Sequence, residues 1–211
     1  MARPRKFAED DVLRDVREQF WRTGYDGTSM QDLCAATGLG SQSLYGAFGG
    51  KHELFVRALG TYCDAQVEGL GSGLARHEDP WDALMAAVVF DASDGRLPLG
   101  PDGCFLASSV AALARRDDSV RTLSERTYRA ITGLLRAELA RAGRTGRLKA
   151  GVDLDEAALA LLTAMQGIEF LSKSGLEART LAAARASTVA MLTAAYAVPA
   201  AGQEPAAVPA A

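Results

Sequence analysis

A short polar run near the amino terminus has the side chains best suited to hydrogen-bond with nucleic acid. The run contains these uncharged residues: Ser41, Gln42, Ser43 and Tyr45. A glutamine can form two hydrogen bonds to the edge of an adenine, and serine can bond to several bases. Lys51 follows a few residues later, where its ammonium group could contact a phosphate. We therefore expect this run to form a hydrogen-bonding surface for DNA.

Two short helices joined by a tight turn would position these side chains. The first helix is predicted to begin after Thr28, which would form a capping box with Gln31, and to end at Gly38. The second is predicted from Ser41 to Phe48. This is a helix-turn-helix layout, in which the second helix enters the major groove. The apolar residues predicted to pack inward are Leu33, Leu39, Leu44 and Phe48. The hydroxyls of Thr28 and Ser29, at a helix amino terminus, would then face a phosphate.

The rest of the chain also has helical periodicity, and no segment alternates like a strand. Further helices are predicted to about residue 68, from Pro80, from Cys104 to Ala114, from Asp117 or Asp118, from Asp153 and up to about Ala197. The glycine-rich residues 69–80 are predicted to be a hinge or loop. Residues 198–211 contain alanine and proline with little to bury, which predicts a disordered tail.

Composition excludes several classes of protein. The chain has 211 residues and a net charge of −3, which argues against a uniformly basic protein that coats nucleic acid. There is no apolar run of membrane-spanning length and no secretory signal, so we expect a cytoplasmic protein without membrane contact. Cys34, Cys63 and Cys104 are too few for a disulfide framework and are not spaced with the two histidines as metal ligands. No metal and no cofactor is therefore predicted.

The segment G-L-G-S-Q-S-L-Y-G-A-F-G-G-K-H-E-L, residues 38–54, resembles the signature of TetR-type transcriptional regulators. The Thr-Ser pair at 28–29 adds to this resemblance. The resemblance implies an all-α, nine-helix homodimer that binds a palindromic operator as a repressor until a small molecule releases it. It further implies a DNA-binding domain over residues 1–50 and a ligand-binding and dimerisation domain over residues 51–197. Residues near 154–173 and 178–196 would form the dimer interface.

Three departures from the family pattern concern DNA affinity. Gly40 stands where the family usually has a capping serine or threonine, and Ser41 and Gly46 stand where it often has a lysine and a histidine. Residues 1–55 contain seven Lys and Arg residues against eight Asp and Glu residues, a net charge of −1. We therefore expect few phosphate contacts, supplemented by a basic arm in a minor groove. The cationic residues of that arm are Arg3, Arg5 and Lys6.

An effector site is expected among the apolar side chains between residues 80 and 173, for a small apolar or electrophilic molecule. The candidate residues are Trp81, Met85, Phe90, Cys104, Phe105, Tyr128, Met165, Phe170 and Lys173. Each of the apolar residues is more simply explained as core. By resemblance to regulators that sense electrophiles, Cys104 would be a reactive thiol with Lys173 as its cationic partner. The alternative is that Cys104 is a small buried hydrophobic residue.

Two rival functions are weighed against DNA regulation. Catalysis is not expected, because the sequence has no Cys/His dyad, no G-x-S-x-G motif and no phosphate-binding loop. The second rival is a helical ligand-binding or interaction module with weak or lost DNA binding. The uncharged second helix of the helix-turn-helix supports that alternative.

Overall fold

The computed structural model describes residues 9–89 and 104–198 of the chain. In these ranges it contains nine helices and no strand apart from one isolated bridge between Leu148 and Ala197, which confirms the all-α prediction. The helices are α1 Glu9–Thr23, α2 Met30–Thr37, α3 Ser41–Phe48, α4 Lys51–Leu74, α5 Pro80–Val89, α6 Phe105–Leu113, α7 Asp118–Arg144, α8 Leu154–Ser172 and α9 Ala178–Tyr196.

The chain divides into two compact units. The first unit comprises Met1–Glu68 and Leu97–Tyr128. Its core joins α1, α2, α3 and the first part of α4 to α6 and the start of α7. Aromatic rings fill the centre, with Phe55 in edge contact with Phe20 at 5.1 Å and with Phe105 at 5.8 Å between ring centroids. Such aromatic packing fixes the helices that carry the polar run.

The second unit comprises Gly69–Arg96 and Arg129–Ala211. Its core contains leucines of α4, α5, α7, α8 and α9, together with Trp81. The indole Nε1 of Trp81 donates a hydrogen bond to Thr193 Oγ1 at 3.2 Å. Arg147 Nε donates to Asp79 Oδ2 at 2.6 Å, and Asp79 also accepts from backbone N–H groups at the start of α5. The proline at the first position of α5 follows this cap, as the sequence predicts.

The division into units differs from the predicted domain boundary at residue 50. Helix α6 and the start of α7 pack with the amino-terminal helices in the first unit. The functional assignment of residues 1–50 and 51–197 stays a prediction.

The predicted hinge or loop over residues 69–80 is wrong for residues 69–74, because α4 continues through the glycines to Leu74. Residues 75–79, between α4 and α5, lie outside the helices, as predicted. Leu70 and Leu74, one turn apart, are both buried in the core of the second unit. Gly71 lies where an added Cβ would be 3.8 Å from a Leu134 methyl carbon. Burial of the two leucines therefore compensates for the low helix propensity of glycine.

The predicted capping box of α2 is also wrong by one residue. Ser29 is the N-cap, and its Oγ accepts a hydrogen bond from the Asp32 backbone N–H at 3.2 Å. Asp32 Oδ2 in turn accepts from the Ser29 backbone N–H at 2.7 Å. Thr28 cannot take this role because its hydroxyl donates to the Gly24 carbonyl oxygen at 2.7 Å. The Ser29 hydrogen bonds lower the pKa of the Asp32 carboxyl.

Candidate nucleic-acid interface

Helices α2 and α3 form the helix-turn-helix that the sequence predicts. Gly38 ends α2 with φ of 67°, a left-handed conformation that glycine adopts without steric cost. Gly40 is the N-cap of α3 and provides no side-chain hydrogen bond there. Leu33, Leu44 and Phe48 are buried beneath the two helices, as predicted, and Leu39 is partly buried against the same core.

The polar face of α3 is open to solvent. Ser41, Gln42 and Ser43 are exposed, and Tyr45 keeps 53% of its surface accessible. These four residues lie within the first five positions of α3, and the amino-terminal part of a recognition helix is the part that contacts base edges. The buried side chains of Leu44 and Phe48 hold the opposite face of α3 in the core.

The two residues before α2 have different surroundings. Thr28 is only 2% exposed, and its hydroxyl lies 2.7 Å from Thr23 Oγ1 as well as from the Gly24 carbonyl oxygen. The predicted phosphate contact of Thr28 therefore does not fit the structure, since its hydroxyl is buried and engaged. Ser29 is exposed at the start of α2.

Lys51 is the first residue of α4 and lies over an aromatic ring. Its Nζ is 4.4 Å from the centroid of the Tyr25 ring, which is cation–π geometry. The Gly50 backbone N–H donates to Glu53 Oε2 at 2.9 Å and so fixes the start of the helix. The sequence indicated Lys51 but not Tyr25, because Tyr25 is 26 positions away and only the fold brings the two together.

Two side-chain pairs connect this region to the start of α7. His52 Nε2 and Asp117 Oδ2 are 2.9 Å apart, and Arg116 forms an ion pair with Asp26. Asp117 also caps α7 by accepting from the Ser119 and Val120 backbone N–H groups. Burial acts to raise the pKa of Asp117, but these hydrogen bonds and His52 outweigh it and lower that pKa. Of the two capping residues left open by the sequence, Asp117 is the one used.

One arginine of α1 is paired with two acids of the same helix. Arg14 forms ion pairs with Asp11 at 2.8 Å and Asp15 at 3.2 Å. These acids raise the pKa of the Arg14 guanidinium, the Asp15 hydrogen bond most of all. The predicted arm residues Arg3, Arg5 and Lys6 lie outside the described residues.

Comparison with known proteins identifies the family. Residues 13–58 match the family described as "Bacterial regulatory proteins, tetR family". Residues 83–189, half of the chain, match "Tetracyclin repressor-like, C-terminal domain". The chain belongs to the TetR family. It is a transcriptional regulator with an amino-terminal DNA-binding domain.

Curated relatives and solved structures agree with this assignment. The regulator is 29% identical over 160 residues to the uncharacterized HTH-type transcriptional regulator YezE of Bacillus subtilis, across 76% of this chain and 82% of YezE. It is 25% identical over 179 residues to the HTH-type transcriptional repressor ComR of Escherichia coli, across 82% and 83%. A cysteine mutant of the TetR-family regulator CifR, complexed with 26-base-pair double-strand operator DNA, has the same fold, with a TM-score of 0.75 and 24% identity. That alignment covers 89% of this chain and 98% of CifR.

The effector residues predicted for this TetR-family regulator divide between the two compact units. Cys104, Phe105 and Tyr128 belong to the first unit, and Phe90 lies outside the described residues. The members that belong to the second unit are Trp81, Met85, Met165, Phe170 and Lys173. Trp81, Met85 and Phe105 are buried in the core of their own unit. Phe170 is instead 75% exposed.

Cys104 is the N-cap of α6 in the regulator. Its Sγ accepts a hydrogen bond from the Ala107 backbone N–H at 3.4 Å and another from the Tyr62 hydroxyl at 3.5 Å. The side chain is buried. Lys173 Nζ forms an ion pair with Glu169 at 2.7 Å.

Helices α8 and α9 present an apolar surface in the second unit. Between them lies a groove of about 530 Å³, lined mainly by small and apolar side chains such as Ala160, Gly167 and Leu192. Leu159, Phe170 and Met191 on the same two helices are 57%, 75% and 63% exposed. We call the groove and these three side chains the α8/α9 patch.

Neither a metal-binding cluster nor a membrane-spanning helix is found in the described parts of the regulator. Residues 9–89 and 104–198 contain no group of three or more histidine, cysteine or acidic residues arranged to hold a metal ion. None of the helices in those ranges combines the length and the apolar character needed to cross a membrane.

Proposed function

We propose that the regulator is a dimeric repressor that binds a palindromic operator through α3. The observation that carries this proposal is the exposed face of α3, where hydrogen-bonding side chains stand on a helix fixed by Leu44 and Phe48. Gln42, with Ser41 and Ser43 beside it, would contact base edges in the major groove. ComR of Escherichia coli is a transcriptional repressor, which supports the direction of regulation.

Phosphate contacts would orient α3 in the groove. Ser29 at the start of α2, Tyr45 on α3 and Lys51 at the start of α4 are accessible or partly accessible for this role. The Ser29 hydroxyl would exchange its hydrogen bond to Asp32 Oδ2, at 2.6 Å, for one to the phosphate. The backbone N–H groups at a helix amino terminus add a favourable dipole for a phosphate. The arm residues Arg3, Arg5 and Lys6 would add minor-groove contacts. The complex of CifR with operator DNA supports operator binding by this fold.

Dimerisation would use the α8/α9 patch. Exposed side chains as large and apolar as Phe170, Met191 and Leu159 on neighbouring helices mark a protein interface rather than a solvated surface. A two-fold axis would place the patch of one subunit on the same patch of the other. The exposure of Phe170 suits this role better than a ligand pocket, which would enclose the side chain.

Effector release would complete the regulation. A small apolar or electrophilic molecule would bind to the regulator and favour a form that binds operator poorly. Because binding linkage is reciprocal, operator must weaken effector binding by the same factor. For an electrophile, Cys104 is the proposed target, since two donors contact its sulfur. Titrating candidate molecules with and without operator tests this step, and equal affinities in both titrations would exclude it.

A second candidate is a ligand-binding module with weak DNA affinity. The observation that favours it is the absence of charge on α3, together with the paired charges of Arg14. The part of the affinity for DNA that comes from neutralising phosphates would then be small. The dimer interface and the effector step would remain, and the operator experiment below distinguishes the two functions.

Selection of bound sequences from a random DNA pool tests the proposal directly. A repressor of this kind should enrich a palindrome whose half-sites are about one helical turn apart, or a multiple of that distance. A gel-shift with the DNA that flanks the regulator's own gene is the complementary assay. Enrichment of no sequence, together with weak binding that salt abolishes, would favour the second candidate.

A further inference from the structure

The contact between Lys51 and Tyr25 has a consequence for DNA binding. The Lys51 Nζ lies 4.4 Å from the Tyr25 ring centroid, at the end of α4 that adjoins α3. We infer that Tyr25 is a positioning residue for the Lys51 phosphate contact, with its ring holding the ammonium group in place before DNA arrives. The inference rests on the proposed function, in which Lys51 binds a phosphate.

The Tyr25 ring is itself held firmly. It contacts the Phe55 ring edge-on at 5.0 Å and stacks on Phe20 at 6.0 Å between centroids. His52 packs against it edge-on at 6.4 Å. Phe20 and Phe55 are buried in the core of the first unit. Because the Tyr25 ring is packed on these sides, it offers the Lys51 ammonium group a fixed surface.

The electrostatic surroundings keep the ring neutral. Burial raises the pKa of the Tyr25 phenol, and the carboxylates of Asp117, Asp26 and Glu53 raise it further. The phenol therefore stays protonated at neutral pH, and the ammonium group meets a π face rather than a phenolate.

Positioning matters for lysine because its side chain is long and flexible. Binding a phosphate immobilises four carbon–carbon torsions, and the entropy lost opposes the contact. The Tyr25 ring has already restricted those torsions in free protein. The ring occupies one side of the ammonium group, and the N–H donors on its other side stay open to a phosphate.

The expected effect is moderate and has a definite sign. A cation–π contact at a partly exposed site corresponds to about a two- to fivefold change in an equilibrium constant. Tyr25→Leu should therefore weaken operator binding by about that factor for each half-site. Tyr25→Phe retains the ring and should bind as the parent protein does. Thermal unfolding of both variants checks that the core stays intact.

A double-mutant cycle on the full-length protein separates positioning from a general packing effect. Lys51→Ala should weaken binding about equally on all sequences and reduce the slope of log affinity against log salt by about one per subunit. In the Lys51→Ala background, Tyr25→Leu should cause no further loss. An equal loss from Tyr25→Leu in both backgrounds, or no loss in the parent background, would overturn the inference.

A measurement without DNA distinguishes failure of the Tyr25 inference from failure of the proposed Lys51 phosphate contact. In free protein, the ring current of Tyr25 should shift the NMR signals of the Lys51 ε-methylene protons upfield. The shift should persist in Tyr25→Phe and vanish in Tyr25→Leu. Absence of the shift in the parent protein would overturn the inference alone. If Lys51→Ala leaves affinity and salt slope unchanged, the proposed phosphate contact is wrong and the inference fails with it.

Discussion

The regulator presents two exposed surfaces of opposite chemical character. On α3 the accessible side chains are hydrogen-bonding and uncharged, with Gln42 between two serines. In the α8/α9 patch they are large and apolar, with Phe170 and Met191 the most exposed. Both surfaces lie on helices whose opposite faces are buried in a core.

The contrast indicates what each surface can bind. An apolar patch gains free energy by leaving water, so a matching apolar surface such as a second subunit suits it. Hydrogen-bonding groups gain little from burial alone, and they discriminate between partners because an unmatched donor or acceptor is costly. The affinity of one subunit for the other would then depend on the α8/α9 patch, and the preference for particular DNA sequences would depend on α3. The first two of the following predictions each test one side of this division.

Phe170→Glu should have the largest effect, because it places a charge in the apolar patch. We expect the dimer to dissociate and operator affinity to fall by about 10²- to 10⁴-fold, the gain that linking two binding sites provides. Sedimentation velocity and fluorescence anisotropy measure the two changes. The matched control is Ala150→Glu in the exposed turn before α8, which should leave both unchanged. A dimeric Phe170→Glu protein would place the interface elsewhere.

Gln42→Ala should reduce affinity without changing assembly. Loss of a two-bond contact to a base costs about 1–3 kcal/mol and relaxes the preference at one position of each half-site. Competition binding against single-base variants of the operator measures the preference. Gln19→Ala on α1 removes an amide that hydrogen-bonds locally to Thr23 and serves as the control. If Gln42→Ala leaves both affinity and preference intact, α3 does not contact bases in the way proposed.

Acid should destabilise both units, because each contains a helix-capping aspartate that lies beside a basic side chain. Asp117 caps α7 beside His52, and Asp79 caps α5 beside Arg147. Burial opposes ionisation of each, yet backbone N–H groups and the basic partner lower both pKa values. A carboxyl with a lowered pKa in the folded state stabilises above its unfolded pKa, about 3.9, and that stability is lost as pH falls through the folded value.

The unfolding free energy should therefore decline below about pH 4. Asp117→Asn and Asp79→Asn retain a capping side chain but remove the charge, so each should make the decline shallower. Each should also cost about 1 kcal/mol at neutral pH, where the parent carboxylate is ionised. Urea unfolding from pH 3 to pH 7 measures both effects. A pH dependence identical to the parent's in both variants would contradict this account.

The smallest expected effect is a difference in alkylation rate between two buried cysteines. Burial raises the pKa of Cys63 to about 11, so its thiol should be inert at neutral pH. Cys104 has the Ala107 N–H and the Tyr62 hydroxyl as donors to its sulfur. Limiting alkylation followed by mass spectrometry should label Cys104 before Cys63. The opposite order would return Cys104 to a packing role only.

Local patterns in the sequence predicted most of the fold. The α3 bounds, the Gly38 turn, the Asp79-Pro80 start and the Asp153 cap all follow from short-range rules on capping and helix ends. The continuation of α4 through residues 69–74 was missed because it depends on the burial of Leu70 and Leu74 in a core formed by distant helices.

The candidate site was also predicted only in part, because local patterns do not show contacts between residues that are distant in sequence. The exposed face of α3 follows from helical periodicity, so Gln42 and its neighbours were found. The burial of Thr28 was missed because its hydroxyl bonds to the end of α1, outside the pattern that suggested a cap. Tyr25 was missed since its contact with Lys51 joins two elements that are separated in sequence.

The glycines near the carboxyl end of α4 should make that part of the helix easier to unfold locally than the rest. Residues 69, 71 and 73 are glycine, and each weakens a helix by about 1 kcal/mol relative to alanine. The chain passes from the first compact unit to the second at this segment. Opening of its backbone hydrogen bonds should therefore need less free energy than opening of the turns around Leu59. In hydrogen exchange, the amides of residues 69–73 should lose protection before those around Leu59. Burial of Leu70 and Leu74 should limit this opening to the glycine-rich segment.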